Sequence, residues 1–285
     1  MGAHVSIAGG LPLALERAAA LGGGAAQIFV KNHRQWAARP LLDSEARAFA
    51  AARRRTGLRV VFAHASYLLN LAAPASEGWR QTVDAFTDEL ERAEALGLTW
   101  VVIHPGAHMG EGVEAGQARV VRALDAITAR TPGYRVKVAL ENTAGAGSVL
   151  GRNFAELGAM LGRVRHPERV GVCVDTCHLF AAGYDIRTAG GYARAIEECA
   201  AAVGLARVLA FHVNDAKAPL GSGLDRHQHI GDGELGLAPF RWLMNDARFI
   251  RTPKVLETPK EPAPAADVKN LATLRRLRRR VSARR

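Results

Sequence analysis

Six side chains that can bind metal recur along the chain at nearly constant spacing, each at or just after the end of a short apolar stretch. They are His64, His104, Glu141, Asp175, His212 and Glu257, separated by 40, 37, 34, 37 and 45 residues. Imidazole and carboxylate groups are ligands that zinc and manganese accept. Because each separation is close to the length of one strand-and-helix unit, the spacing predicts that the six side chains meet at one place.

Three further candidate ligands, His178, Asp225 and His227, lie in segments that follow predicted strands. The full set then holds four carboxylates, five imidazoles and no thiolate. A tetrahedral site uses only three or four ligands, so the set predicts two or three metal ions with at least one bridging carboxylate. Crowded carboxylates also repel one another unless cations hold them together. We treat the remaining histidines as ordinary core or loop residues; they are His4, His33, His108, His166 and His229.

The elements that must position these ligands alternate between strand and helix along the whole chain. Continuous apolar runs, typical of parallel strands covered by helices, predict strands at 2–6, 26–30, 59–64, 99–104, 136–141, 170–175, 207–213 and 254–257. Helical periodicity predicts helices at 11–21, 43–56, 76–96, 113–130, 153–161, 188–203 and 238–246, followed by a basic last helix. We therefore predict a single-domain α/β protein, a (β/α)8 TIM barrel, with the ligands at the C-terminal ends of its strands.

Composition limits the class of protein. The chain has 285 residues, 48% of them hydrophobic and 23% charged, which fits a globular domain. Without a long apolar run or a signal-peptide pattern, we expect a cytoplasmic protein with no membrane association. We expect its three cysteines to be buried free thiols.

The positive charge is concentrated at the C-terminus. Residues 269–285 hold eight Lys or Arg and no acid, and removing them would lower the net charge from +11 to +3. Leu271, Leu274, Leu277 and Val281 form a helical stripe, so we assign 1–268 to the barrel and 269–285 to a basic tail within its last helix. The tail is either solvated or a non-specific nucleic-acid contact, and we expect it to lie opposite the catalytic face.

Several segments resemble signatures of one known family. HASYLLNLA, VIHPGAH, ALENTAG, VGVCVDTCHLFAAGYD, HVNDAK, DRHQHIGDGELG and VLET are similar to segments of the endonuclease IV family of apurinic/apyrimidinic endonucleases. The resemblance extends from GAHVS at the N-terminus to about Glu257. It implies a TIM barrel with three zinc ions per chain, although manganese remains possible at some positions.

The resemblance also implies how the ligands divide. His64, His104 and a bridging Glu141 would hold one zinc, and Glu141, Asp175, His212 and Glu257 a second. The third would be held by His178, Asp225 and His227. We expect Glu141 and Glu257 to be the catalytic residues in hydrolysis of the phosphodiester 5′ to an abasic site, leaving a 3′-hydroxyl and a 5′-deoxyribose phosphate. We also expect 3′-diesterase activity and a role in base excision repair.

Substrate recognition is expected from loops around the same rim. The segment Lys31–Trp36 combines an arginine, an amide and an aromatic ring, which suits entry into a minor groove. The resemblance implies that Arg34, Gln35, Trp36, Tyr67 and Asn70 contact duplex DNA, although Trp36 could instead pack against the following helix. An abasic nucleotide costs little to extrude from the stack. We expect the enzyme to act as a monomer.

Two other functions fit part of the pattern. A divalent-metal sugar isomerase or epimerase of the related barrel class also carries Glu, Asp and His at its strand ends. A DNA-binding scaffold that has lost catalysis is the second possibility. The DTCH and DRH segments argue against the first, and the complete set of nine ligands argues against the second.

Overall fold

A computed structural model describes residues 1–278. Within them, eight parallel strands close into a barrel in the spatial order β1-β10-β7-β6-β5-β4-β3-β2. The barrel strands are β1 (Gly2–His4), β2 (Ala25–Ile28), β3 (Val60–His64), β4 (Trp100–Ile103), β5 (Lys137–Glu141), β6 (Val170–Asp175), β7 (Val208–His212) and β10 (Lys254–Leu256). The predicted TIM barrel is confirmed, and each of the eight predicted strands begins and ends within two residues of its predicted bounds.

The remaining two strands form a small ribbon outside the barrel. Strands β8 (Asp215–Ala216) and β9 (His227–Gln228) pair antiparallel within the long segment that joins β7 to β10. Neither was predicted, because a two-residue strand is too short to produce a periodic pattern. The ribbon is important for the site because it brings His227 back towards the rim.

Helices fill the segments between the strands, close to the predicted bounds. They are α1 (Leu11–Ala20), α2 (Asp43–Thr56), α3 (Glu77–Ala95), α4 (Val113–Arg130), α5 (Phe154–Leu161), α6 (Thr176–Ala181), α7 (Ala189–Ala202), α8 (Ala238–Asn245) and α9 (Ala265–Leu277). Ser76, Asn153 and Thr188 cap α3, α5 and α7, and the side chain of each accepts a backbone N–H three residues later. Gly57 ends α2 in the left-handed conformation, with φ 65°. Only α6, a short helix directly after β6, was not expected.

The barrel interior has an apolar lower layer and a polar upper layer. Its lower layer contains Ala25, Phe62, Val102, Ala139, Cys173, Ala210 and Val255, all buried. Because side chains two residues apart in a strand point to the same side, each of these residues places the residue two positions later in the interior as well. That rule places the functional site in the upper layer. The three cysteines, Cys173, Cys177 and Cys199, are buried free thiols, as predicted.

The last helix begins before the basic tail. Leu271 and Leu274 are buried on its inner face, as predicted, whereas Val281 and the other residues after 278 lie outside the described residues. The Arg275 guanidinium donates to the carbonyls of Leu21 and Gly22, in the turn between α1 and β2. The described part of this helix therefore ends at the face opposite the carboxyl ends of the strands. The division of the chain at residue 268 stays a prediction. No helix within residues 1–278 is long and apolar enough to cross a membrane.

Candidate metal centre

The upper layer of the barrel interior carries one polar side chain from each of the eight strands. Each follows an inward-facing lower position by two residues, as strand geometry requires. The eight are His4, Gln27, His64, His104, Glu141, Asp175, His212 and Glu257. Six belong to the predicted ligand set. The other two, His4 and Gln27, were not predicted as site residues, although the same two-residue rule identifies them once the strand phase is known.

The first ligand group joins β3, β4 and β5. His64 Nε2 and His104 Nε2 lie 3.3 Å and 3.2 Å from the same oxygen, Glu141 Oε2. The possible ligand atoms of the three residues all lie within 4.8 Å of one another. Two imidazoles and one carboxylate oxygen around a common point match the donor set of a divalent metal site.

The second group uses the other oxygen of Glu141. His212 Nδ1 lies 2.7 Å from Glu141 Oε1, 3.2 Å from Glu257 Oε2 and 4.0 Å from Asp175 Oδ2. Ligand atoms of these four residues also lie within 4.8 Å of one another. Glu141 is fully buried, and its two oxygens face two different groups. A carboxylate in this position can bridge two ions.

The third group lies beside the second, at the opening of the barrel. His178 Nε2 and His227 Nε2 lie 3.2 Å from Asp225 Oδ2 and Oδ1 respectively. His227 Nε2 is also 3.6 Å from Asp175 Oδ2, so this group is adjacent to the second. Asp225 is half exposed, with 50% of its side chain accessible, whereas Glu141 and Asp175 are completely buried. The three groups together contain all nine predicted ligands.

Local structure explains why Asp175 and His178 fall into neighbouring groups. Asp175 ends β6 and caps α6, accepting the His178 N–H at 2.9 Å through Oδ1. The single turn of helix then turns the His178 ring back over Asn142, whose carbonyl oxygen lies 2.9 Å from His178 Nδ1. That carbonyl can only accept, so Nδ1 carries a proton, and Nε2 is the ring nitrogen that can give up its proton and bind a metal ion beside Asp225.

Two buried ring nitrogens indicate that cations belong here. His178 Nε2 and His227 Nε2 are inaccessible to solvent, and although each lies 3.2 Å from an oxygen of Asp225, neither makes a well-directed hydrogen bond with a described residue. Leaving a buried polar atom unpaired costs about 1–3 kcal/mol. Metal ligation would satisfy both atoms and would also compensate the four converging carboxylates. The donor set therefore fits divalent ions.

The charges on these groups reflect close pairing. Burial alone would raise the pKa of Glu141, but the charges of His212 and His104 hold it well below its usual range. Burial would lower the pKa of His178, but Asp175 and Asp225 raise it well above 6.5. Desolvation would raise the pKa of Asp225, but the close approach of the positively charged His178 lowers it to about 2. Without metal, imidazolium groups therefore occupy the role of the cations, and metal binding must displace their protons.

Cys177 offers the only alternative donor among the described residues at these positions. Its sulfur, Asp175 and His227 could also form a three-ligand group. However, burial raises the pKa of the Cys177 thiol to about 12. Because the thiolate is the form that binds metal, the nitrogen and oxygen groups fit better.

Two asparagines connect the ligands to the strands. Asn214 Nδ2 donates to Asp175 Oδ2 at 2.6 Å, and its Oδ1 accepts the Glu257 N–H at 2.8 Å. Asn142 Oδ1 accepts the Asp175 N–H at 2.6 Å. Such outer contacts orient metal ligands. Their positions directly after ligand strands, in ALENTAG and HVNDAK, were the available sequence signal.

The residues expected to contact DNA fall into two kinds. Arg34 and Gln35 are exposed, and Tyr67 is 62% exposed with its ring centroid 5.4 Å from that of His64. By contrast, Trp36 is partly buried against the core, which agrees with the packing role left open above.

The Asn70 amide is already used within the chain. It donates to the Ala107 carbonyl at 3.0 Å and accepts the Ala107 N–H at 2.9 Å, so it holds the loop after β4.

Within residues 1–278, Arg34 makes no ion pair.

Comparison with known proteins gives a consistent result. Residues 15–277 match the family described as the xylose isomerase-like TIM barrel. The chain is 48% identical to a probable endonuclease 4 from Trichlorobacter lovleyi, over 97% of this chain and 99% of that one. It is 36% identical to endonuclease IV from Thermus thermophilus, with a TM-score of 0.85 over 96% and 97% of the two chains. A D-tagatose 3-epimerase-like protein, 20% identical with a TM-score of 0.74 over 97% of each chain, shares the fold alone.

Proposed function

Because the chain belongs to the endonuclease IV family and is a phosphoric diester hydrolase, we propose that it cuts duplex DNA on the 5′ side of abasic sites. The products would be a 3′-hydroxyl and a 5′-deoxyribose phosphate. One observation carries the proposal: the two oxygens of the buried Glu141 face two separate ligand groups. Hydrolases that attack phosphorus use such paired sites to hold both the attacking and the leaving oxygen.

We assign three divalent ions, most simply zinc, to the three ligand groups. Nitrogen and oxygen donors without thiolate suit zinc, and manganese is acceptable at the carboxylate-rich second group. When bound, the ions supply Lewis acidity that stabilises charge on the phosphodiester and makes water more acidic. The residues of the chain would position these ions, and Glu141, which belongs to two of the groups, would link the first ion to the second.

The second catalytic residue in this proposal is Glu257. Within the second ligand group, Glu141, Asp175 and His212 are fully buried, whereas the Glu257 side chain is 13% exposed. A proton that reached Glu257 could therefore pass to solvent. Its carboxylate is anionic near neutral pH because, although burial opposes ionisation, the charge of His212 holds its pKa well below 4.5. We assign it proton handling during attack.

Asp225, His178 and His227 form the group nearest the opening, and we assign them to the leaving 3′-oxygen. The Asp225 side chain is half exposed and can therefore adjust its position when substrate binds. His178 is held in place by the Asn142 carbonyl. The same arrangement would act on blocked 3′ ends, since the bond that breaks is again a phosphodiester. We therefore include 3′-diesterase activity in the proposal.

For substrate binding, we propose direct DNA contacts for Arg34, Gln35 and Tyr67. The exposed arginine and aromatic ring suit the gap that an abasic nucleotide leaves in the base stack. Trp36 and Asn70 stabilise the loops that carry this surface. The Trp36 ring packs against the core, and the Asn70 amide is hydrogen-bonded to Ala107. DNA contact by these two residues stays a prediction. We also propose that the enzyme acts as a monomer.

The decisive experiment combines metal analysis with one incision assay. We expect the purified protein to contain about three zinc per chain and to nick a duplex carrying a single tetrahydrofuran abasic analogue without added magnesium. An undamaged duplex of the same sequence is the control. A fully metal-loaded preparation that leaves the abasic duplex intact, or that epimerises a ketose instead, would refute the proposal. Size-exclusion chromatography with light scattering tests the monomer.

A further inference from the structure

Gln27 connects two of the ligands of the second group. It lies on β2 in the upper layer of the barrel and is fully buried. Its Nε2 lies 2.6 Å from Glu257 Oε1 and 2.8 Å from His4 Nδ1, and its Oε1 lies 2.7 Å from His212 Nε2. All three contacts are side chain to side chain, so the amide joins strands that are distant in sequence.

The partners determine which way the amide points. A carboxylate only accepts hydrogen bonds, so the group facing Glu257 must be the NH2 of Gln27. The Gln27 oxygen then faces His212 and can only accept, which places a proton on His212 Nε2. The remaining ring nitrogen, Nδ1, is the one that faces Glu141 and Glu257.

We propose that Gln27 is a positioning residue that prepares the second group to bind its metal ion. The proposal rests on the metal centre described under the proposed function. One amide fixes the tautomer of His212 and holds one oxygen of Glu257, so that His212 Nδ1 and Glu257 Oε2 remain available as ligands. His4 Nδ1 completes the arrangement by accepting the second hydrogen of the same NH2 group at 2.8 Å.

Substitution of Gln27 should weaken one metal position selectively. For Gln27→Leu we expect an approximately 10- to 100-fold loss of affinity at one of three positions, as found for loss of outer contacts to metal ligands. Gln27→Glu keeps an acceptor for His212 but places a second carboxylate against Glu257. It should therefore retain the His212 tautomer and still lower the metal affinity of the second group. The matched control is Gln117→Leu, which removes another buried glutamine, from α4 outside the site.

The measurements are zinc competition with a chromogenic chelator and the ¹⁵N–¹H signal of His212 Nε2 in the zinc-loaded protein. We expect the signal in the wild type and in Gln27→Glu, and its loss in Gln27→Leu. Wild-type zinc affinity in Gln27→Leu would overturn the inference, as would an unchanged tautomer. If Gln27→Leu does not fold, the zinc affinity of Gln27→Glu still tests the inference, because wild-type affinity in that variant would also overturn it. Failure of the proposed function appears separately, as a wild-type protein without zinc or incision.

An independent feature lies at the opposite end of the barrel. A cavity of about 620 Å³ opens beneath β1, β2 and β10, and within the described part of the chain no carboxylate lines it. Its charged lining consists of Arg59, Arg251, Lys254, Arg275 and Arg278. Cavities of about 300–1,000 Å³ are the size range of small-ligand sites.

Within residues 1–278, no carboxylate forms an ion pair with the cations of this basal cavity. Lys254 Nζ donates to the carbonyls of Phe249 and Thr252 at 2.6 Å and 3.1 Å, which fixes its position without cancelling its charge. Burial and the neighbouring Arg278 lower the pKa of Lys254 to about 8. Among residues 1–278, Arg59 and Arg251 have neither an acidic nor a hydrogen-bonding partner for their guanidinium groups.

We propose that the basal cavity binds a small anion with two or more phosphate groups. Guanidinium groups bind phosphate through paired, charge-assisted hydrogen bonds. A concave site favours a small ligand, because a DNA duplex is too wide to enter it. Free polyphosphate and the phosphate chain of a nucleotide share this chemistry.

Calorimetry of the metal-loaded protein with tripolyphosphate, ATP or adenosine tests the site, with sodium sulfate at equal ionic strength as reference. We expect saturable tripolyphosphate binding that falls at least tenfold in the double variant Arg59→Gln/Arg278→Gln. It should persist in the control Arg163→Gln/Arg194→Gln, which removes two arginines elsewhere. ATP that binds more tightly than tripolyphosphate identifies a nucleotide site. Binding that matches sulfate, or that survives the first double variant and so occurs at the metal centre, overturns the proposal.

Discussion

Glu141 is the residue on which the proposed chemistry depends most. A fully buried carboxylate would be unstable alone, yet four histidines, His64, His104, His178 and His212, lie within 3.4 Å of its two oxygens. The residue is thus surrounded by groups that either carry protons or bind metal. Removing its charge should affect both ion positions at once.

For Glu141→Gln we expect incision of the abasic duplex to fall by about 10³-fold or more, the scale of loss of a group that stabilises transition-state charge. Duplex binding should change only a few-fold, because the residues proposed to contact DNA are untouched. Single-turnover incision and fluorescence anisotropy measure the two effects. Glu168→Gln, an exposed carboxylate far from the site, is the control. Retained turnover would remove Glu141 from its bridging role.

Arg34 tests the recognition surface separately from the metal centre. Because it is exposed and makes no ion pair within the described residues, its loss should not disturb the fold. For Arg34→Ala we expect KM for the abasic duplex to rise about tenfold, or ~1.4 kcal/mol, with zinc content unchanged. Arg163→Ala, at another exposed position, should leave KM unaltered. A fall in zinc content would show that Arg34 acts on the centre instead.

At the scale of elements, α6 links two ligand groups through a helix cap. Asp175 serves both as the N-cap of α6 and as a candidate ligand, and the turn it begins carries His178. The two roles can be separated, because asparagine caps helices about as well as aspartate but brings no negative charge.

Asp175→Asn should therefore lower zinc content while changing the unfolding free energy of the metal-free protein by no more than about 2 kcal/mol. The opposite pattern is expected for Thr188→Ala, which removes the cap of α7 outside the site. That variant should lose about 1 kcal/mol of stability and keep its zinc. Elemental analysis and urea unfolding separate the outcomes. Full zinc content in Asp175→Asn would exclude Asp175 as a ligand.

The whole molecule responds to pH through the charge pairs of the centre. In the metal-free protein the pKa values of His178 and His212 are raised above 6.5, so their stabilising contribution is complete below 6.5 and is lost as pH rises through the raised values. The pKa values of Glu141 and Glu257 are lowered below 4.5, so their contribution is present above 4.5 and is lost as pH falls through the lowered values. Metal binding requires the deprotonated ligands and strengthens with rising pH.

The difference in Tm between zinc-loaded and chelator-treated protein should consequently widen from about pH 6 to about pH 8.5. Differential scanning calorimetry in buffers of equal ionic strength measures it. Glu141→Gln, which weakens the centre, should reduce both the difference and its slope. A difference that is constant or shrinks with pH would mean that the imidazole groups do not exchange protons for metal.

The sequence by itself determined the architecture and most members of the site. Apolar runs alternating with amphipathic helices predict a parallel barrel, since both patterns arise from local side-chain periodicity. Ligand residues such as His64, Glu141 and Asp175 could be found because the C-terminal ends of barrel strands must meet at one rim.

Only the tertiary structure decided how these residues divide and what supports them. It placed the two oxygens of Glu141 towards different groups, and it turned the Asn70 amide inward onto a loop rather than outward. It also revealed Gln27 between His212 and Glu257, residues 185 and 230 positions away in the chain. Contacts of this kind depend on barrel closure and side-chain direction, which link distant strands and leave no periodic signal in the local sequence.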